Sequence, residues 1–246
     1  KRIAMNKTGK YIYGVINSSA KECFNMGEVA AYTICFEGIA AVVSDSEIVD
    51  YNHMSKDSLA RLLVSHQQLI EKVMTRHTII PMRLGTFASS DEEVSMILST
   101  GYSTIKDILE KTKDSVEIDV VATLCDFKSF LQEVSQEDEI SQLKQSLLNK
   151  EGGVTIDDQM KVGVLVKKHL DKKKEILAGQ IQTALCEIAQ NLKAHDLMDD
   201  KMVLNTAFLV SQNSQKEFEQ KLDQINDKFE DKLNFRCVGP LPPYSF

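Results

Sequence analysis

The hydrophobic pattern changes period several times along the 246-residue chain, and each change predicts an element. Tyr11–Ile16 is rich in aromatic and β-branched residues and predicts a strand. Val29–Phe36 and Ile39–Ser44 predict two more, joined at Glu37-Gly38, where glycine supplies the positive φ of a tight hairpin. The period then lengthens. Leu59, Leu62, Leu63, Leu69, Ile70, Val73 and Met74 recur at three- and four-residue spacing and predict a helix, with Ser55 as N-cap and Asp57 in its first turn. Thr78–Phe87 reads as a strand interrupted at Pro81 and Gly85. Ser90-Asp91-Glu92-Glu93 is a capping box that opens another helix, which Gly101 breaks or kinks. This β-β-β-α-β-α order predicts a ferredoxin-like sheet with a shortened first helix.

Val116–Cys125 alternates cleanly, with Val116, Ile118, Val120, Ala122 and Leu124 on one face. A polar helical stretch follows to about Leu148, then a loop over Asn149–Val154. Thr155 is placed to cap a long helix running toward His195, striped by Leu177, Ile181, Ala184, Leu185, Ile188 and Leu192. Met202–Val210 predicts a strand, Ser214-x-x-Glu217 a second capping box, and Asn234–Val238 a last short strand. The prediction is an α+β protein of two domains, 1–112 and 113–246, the second ending in a Pro-rich tail.

Charge adds one restriction. The net charge is −7, spread unevenly: −1 over residues 1–112 and −6 over 113–246. A general nucleic-acid binder needs a basic face, so the charge argues against that class. Bulk charge also disfavours a strongly acidic partner for the second half. No apolar run reaches the roughly 18 residues that span a bilayer, which predicts no membrane segment. Five cysteines, odd in number and far apart, predict free and mostly buried thiols in a reducing cytoplasm. The KRIA that precedes Met5 reads as a vector remnant.

Chemical motifs are sparse. The sequence lacks both common phosphate cradles, a nucleophile elbow, and local metal spacings such as CxxC or HExxH. No cofactor, metal or catalytic residue is expected. His66 and His77 fall on one face of the predicted helix, roughly 16 Å apart by helical rise, too far to share a metal. A buried, hydrogen-bonded histidine is the expectation for His66, while His169 and His195 are expected at the surface. Lys167, Lys168, Lys172, Lys173 and Lys174 wrap around their helix, which fits a solvated surface; the sharper alternative is a docking face for an acidic segment. In Ile79–Phe87, Arg83 sits between Pro81 and Gly85 in an otherwise apolar run. It reads equally as a tie from the sheet to the next helix or as a binding determinant.

Four stretches together resemble the gas vesicle protein F/L family: Tyr11-Ile12-Tyr13-Gly14-Val15, Gly38–Ser44, Ile80-Pro81-Met82-Arg83-Leu84-Gly85-Thr86, and Gly239-Pro240-Leu241-Pro242-Pro243-Tyr244-Ser245-Phe246. Gly163-Val164-Leu165 also fits. The family carries Phe where this chain has Leu84, and Trp where it has Leu241. The resemblance implies a ferredoxin-like N-terminal domain, an α+β C-terminal domain and a non-enzymatic role. It implies a protein required for gas vesicle assembly that binds the major hydrophobic shell protein, limits its aggregation during nucleation, and stays as a minor vesicle component. Implied partners include other gas vesicle accessory proteins, in the cytoplasm, without nucleic acid or membrane.

The matching motifs nominate Arg83, Gly85, Thr86, Pro240, Pro243, Tyr244 and Phe246 as structural or partner-binding residues. Two other classes compete: a small-molecule-binding enzyme using His66 and Arg83 in a cleft, and a purely structural wall component. The tail holds three of the four prolines and three large apolar side chains, so it is expected to pack back on the molecule with Tyr244 and Phe246 as anchors.

Overall fold

The computed structural model describes residues 8–27, 29–48, 51, 54–150 and 153–246. The four residues before Met5 and Gly152 of the expected loop lie outside these. The chain divides into two compact units, Lys1–Glu117 with Gly239–Phe246, and Ile118–Val238.

The first unit contains β1 (Thr8–Ile16), β2 (Cys23–Met26), β3 (Val29–Phe36), β4 (Ile39–Glu47), α1 (Lys56–Met74), β5 (Ile79–Pro81), β6 (Phe87–Ala88), α2 (Asp91–Thr100) and α3 (Tyr102–Lys111). Its sheet has the order β2-β3-β4-β1-β5, with β6 also on β1. Strand β2 carries no signal of its own: four residues with Asn25 among them are too short for an alternation to register. It forms because Gly27, at φ 58°, turns it back onto β3. Helix α1 covers one face, burying Leu69, Ile70 and Val73 against Tyr11, Tyr13, Ile16, Phe24 and Val42. Helices α2 and α3 cover the other face, placing Val94, Leu98 and Leu109 on Ile12, Val15, Ile39 and Val43. With both faces covered, β1 and β4 are apolar runs rather than alternating strands.

The β1–β4 register slips between Ile12 and Gly14. This bulge changes the parity of β1, so Tyr11, Tyr13 and Ile16 all face α1. Gly14 is required there, because a Cβ would lie 2.7 Å from both the Ile79 side chain and the Ile80 carbonyl.

Three expectations for this unit change. The apolar stripe of α1 is buried only in its C-terminal half; Leu59, Leu62 and Leu63 stand exposed, with an open cleft rather than packed sheet beside Leu62. The helix also stops at Met74, so His77 lies past its end, off the His66 face, with Nε2 3.0 Å from Glu22 Oε2. Ser90 caps α2 by accepting from the Glu93 N–H, but the Glu93 carboxylate accepts from Ser89 N–H (2.6 Å) and the Ser89 hydroxyl. The reciprocal half of that box is displaced by one residue.

The second unit is built from β7 (Ser115–Leu124), α4 (Phe127–Ser135), α5 (Asp138–Leu148), α6 (Ile156–Leu185), β8 (Asn191–Ala194), β9 (Met202–Ser211), α7 (Gln215–Lys228) and β10 (Leu233–Leu241), in a sheet ordered β10-β7-β9-β8. Helices α4 and α5 pack on the N-terminal half of α6 through Val134, Ile140 and Leu170. Phe208 of β9 meets Phe218 of α7 at 5.4 Å between ring centroids. The Thr155 cap forms in full: the Thr155 N–H donates to the Asp158 carboxylate at 3.1 Å and the Asp158 N–H to the Thr155 hydroxyl at 3.3 Å.

The long helix ends at Leu185, not near His195; Leu192 lies on β8, whose backbone pairs with β9 instead. The predicted box at Ser214 is absent, since a 3₁₀ turn over Gln212–Ser214 runs directly into α7 and Ser214 never takes the extended cap backbone. None of the five cysteines is buried: four are exposed and Cys35 is half-buried. They sit at strand ends, edges and a helix cap rather than in the core.

Candidate functional site

Strands β5 and β6 read as one interrupted strand along β1. Ile80 pairs with Val15 and Phe87 with Tyr11. Between them Met82–Thr86 bows outward, still tied to β1 by Met82 N–H to Tyr13 O (2.8 Å) and Ile12 N–H to Thr86 O (2.9 Å). Thr86 closes the turn by donating its N–H and hydroxyl to the Arg83 carbonyl. Gly85 adopts φ 87°, and a Cβ on it would stand 2.8 Å from the Tyr51 ring. Only glycine meets both conditions.

This turn holds His66. The Nε2–H of His66 donates to the Met82 carbonyl at 2.9 Å. A carbonyl only accepts, so Nδ1 is the bare nitrogen, and it accepts a hydrogen bond from the Tyr11 hydroxyl at 2.7 Å. The Gly85 N–H in turn donates to the Tyr11 oxygen at 3.4 Å. Tyr13 stacks on the imidazole at 5.6 Å and donates to or accepts from Ser44 at 3.2 Å. His66 is only 4 % exposed. Burial lowers its pKa, which keeps the ring neutral, and burial raises that of Tyr11. The histidine therefore has no nitrogen open to a substrate, and its tyrosine is neither a base nor a nucleophile near neutral pH.

Beside this cluster lies a cleft of about 410 Å³, with Tyr11, Tyr13 and Ser44 on the sheet, Leu62 and His66 on α1, and Tyr51 opposite. Arg83 is not among its lining residues. It is exposed on the turn and makes no ion pair among the described residues. The constellation of His66, Arg83 and a carboxylate that an enzyme reading needs is not assembled. Among the described residues no cluster of three His, Cys, Asp or Glu could hold a metal.

The tail belongs by its contacts to the first unit, although sequence reading placed it in the second domain. Pro240 is exposed on the edge strand β10, after a cis Gly239–Pro240 bond, and Pro242 and Pro243 are buried. Ser245 donates its N–H and hydroxyl to the buried Glu117 carboxylate, at 2.7 and 3.0 Å. Tyr244 donates to Gln67 Oε1 at 2.6 Å, yet 40 % of its surface is open. Desolvation and the nearby Glu71 and Glu117 push its pKa up to about 12. Phe246 is half-buried. Pro242, Pro243 and Ser245 thus fasten the tail more than the two aromatic rings do. Glu117 as its receptor was hidden in the sequence, where it occupies a solvent-facing slot of an alternating strand.

In the second unit His169, expected at the surface, is half-buried and engaged on both ring nitrogens. It joins α6 to α5, with Nδ1 on Glu137 and Nε2 2.8 Å from Glu139. The Glu137 carboxylate raises its pKa, with Glu139 second, while Glu137 is lowered by His169 and then Lys173. Of the lysine run, Lys174 is buried and donates to the Asp200 carbonyl, and Lys173 pairs with Glu133 and Glu137.

Comparison with known proteins matches the model of the family described as gas vesicle synthesis protein GvpL/GvpF over residues 9–246. Gas vesicle protein F of Nostoc sp. (strain PCC 7120) is 24 % identical, over 97 % of this chain and 98 % of its own. Gas vesicle protein F of Haloferax mediterranei is 22 % identical, over 96 % and 92 %. Two crystal structures share the fold: GvpF from Anabaena sp. PCC7120 (TM-score 0.79, 23 % identity, 97 % of each chain) and GvpF from Microcystis aeruginosa (TM-score 0.80, 21 % identity, 97 % and 98 %). None of these names is that of an enzyme.

Proposed function

Because the chain belongs to the gas vesicle GvpL/GvpF family, we propose that it serves gas vesicle assembly by binding the hydrophobic shell protein and limiting its aggregation during nucleation. The observation that carries this reading is the bare N-terminal half of α1. Leu59, Leu62 and Leu63 are exposed on one side of the helix, and Leu62 lines a cleft floored by aromatic rings. Contiguous exposed apolar surface of this kind marks an interaction site. An apolar segment of the shell protein can lie along it, with its side chains against the exposed leucines and the aromatic floor. We place this work in the cytoplasm, with other accessory proteins of the vesicle as further partners, and with the chain retained as a minor vesicle component.

Two structural readings go with it. We take the two compact units as two domains divided at Glu117. We take the first as a ferredoxin-like sheet in which β2 replaces the first crossover helix; the order β5-β1-β4-β3 and the placement of α1 between β4 and β5 support that.

The test is co-expression with the shell protein. The wild type is expected to co-purify with it and to keep it soluble, and Leu59→Asp/Leu63→Asp to lose most of both effects while folding normally. No complex with the wild type, or an unchanged complex with the double variant, sinks the proposal.

A further inference from the structure

We propose that the N-terminal half of α6 is a docking face for an amphipathic partner helix whose apolar stripe is flanked by carboxylates. This surface is separate from α1 and its test is independent of the shell-protein reading.

Ile156, Met160 and Val164 recur every four residues and are 76, 64 and 69 % exposed. At 1.5 Å of rise per residue they form a stripe of about 12 Å, two turns long. Gly163 falls within the stripe, and a Cβ on it would meet nothing within 4 Å. The position is an open notch, where a second helix can approach closely.

The stripe is the outer end of a face already used as an interface. Residues seven apart lie near one side of a helix, so Met160 leads through Lys167 to Lys174 and Ile181. Lys174, Ile181 and Leu185 are buried, where α6 packs on β9 and α7. Past Lys167 toward the N-terminus the same face continues bare.

Charge selects the occupant. Lys161 lies beside the stripe and Lys167 continues it, with Lys168 and Lys172 about one and two turns past Val164 on the same side as Lys161. Lys167 pairs only within the helix, with Asp171 at 3.5 Å, and Lys161 stands 4.0 Å from Asp158. Asp158 is buried and taken by Lys150 and Thr155. Lys168 and Lys172 have no ion pair among the described residues. Asp157, Asp171 and Glu175 share this side of the helix, which leaves it with one more lysine than carboxylate. The net charge of the second half is −6, which argued against an acidic partner by bulk attraction. At physiological salt, however, screening acts over about 8 Å, so this local basic surface governs what docks. A second copy is a poor occupant: none of the described helices carries an exposed two-turn apolar stripe with an acidic flank.

The experiment titrates the full-length protein into two fluorescent helical peptides of about twenty residues. They share one leucine stripe and differ only in glutamate or lysine flanks. The glutamate peptide is expected to bind at least about tenfold tighter, with an advantage that shrinks as salt rises. Met160→Asp/Val164→Asp should abolish binding, and Lys168→Glu/Lys172→Glu should reverse the preference, both with unchanged circular dichroism. Equal or absent binding of the two peptides overturns the proposal, as does undiminished binding by the aspartate variant. So does a wild-type dimer in sedimentation velocity, or binding to phosphatidylserine vesicles, that the aspartate variant loses.

Discussion

His66 in the first unit and His169 in the second are the same residue in opposite settings. His66 sits between a tyrosine hydroxyl and a carbonyl, buried and neutral. His169 sits between two glutamates at the edge of a helix cluster, and its pKa is raised. Both are structural, and both tie a helix to a neighbouring segment. The first does so with neutral hydrogen bonds in a desolvated core, the second with charge at the surface. A satisfied neutral group in the core is costly to remove, whereas an ion pair near water is weak and depends on pH and salt.

Removing His66 should give the largest effect. His66→Ala empties a core position and strands the Tyr11 hydroxyl and the Met82 carbonyl, a loss of about 3 to 4 kcal/mol. Denaturant unfolding checks this, and a change below about 1 kcal/mol would mean the network contributes little. Gly85→Ala attacks the same network from the turn. It forces a Cβ into φ 87° and onto the Tyr51 ring, and should cost about 2 kcal/mol. Hydrogen exchange should locate the loosening at Met82–Thr86 and Tyr11.

The third test is pH. His66 has a folded pKa below its unfolded value of about 6.5, so the stability it gives is full above that pH and falls as the solution is acidified. His169 has a raised folded pKa, so its contribution is full below about pH 6.5 and is lost as pH rises through the folded value. Amide exchange corrected for intrinsic rates should therefore show α1 loosening on the acid side and α5 on the alkaline side. Both histidines responding in the same direction would break the comparison. The smallest effect is His169→Gln: a modest drop in protection of α5, vanishing at high salt, with no change in α1.

Much of this was readable from residue order. The covered strands, the α1 helix, the Thr155 cap and the interrupted strand around Arg83 each follow from local period or turn chemistry. What escaped depended on distant partners. The exposed leucines of α1 look like core in the sequence because periodicity reports a face, not whether anything covers it. Glu117 looks solvent-facing until the tail arrives from 128 residues away. The Ser214 box failed because the preceding turn was already helical, a fact about backbone that the motif does not encode. His66 was expected to be satisfied, but its partners came from Tyr11 and a bulged turn that no spacing rule connects.

The return of the tail to the first unit has a consequence for how that unit holds together. Ile118–Val238 is an insertion between Glu117 and the segment that binds it. If those roughly 120 residues were a loose loop, bringing Ser245 back to Glu117 would carry a closure entropy of about 4 kcal/mol beyond the constant term. Folded, the insertion leaves and re-enters on neighbouring strands, β7 and β10, and that entropy is already spent. The tail thus reaches Glu117 from the strand next to the one that carries that carboxylate, so the chain comes back along a paired strand rather than as a free end.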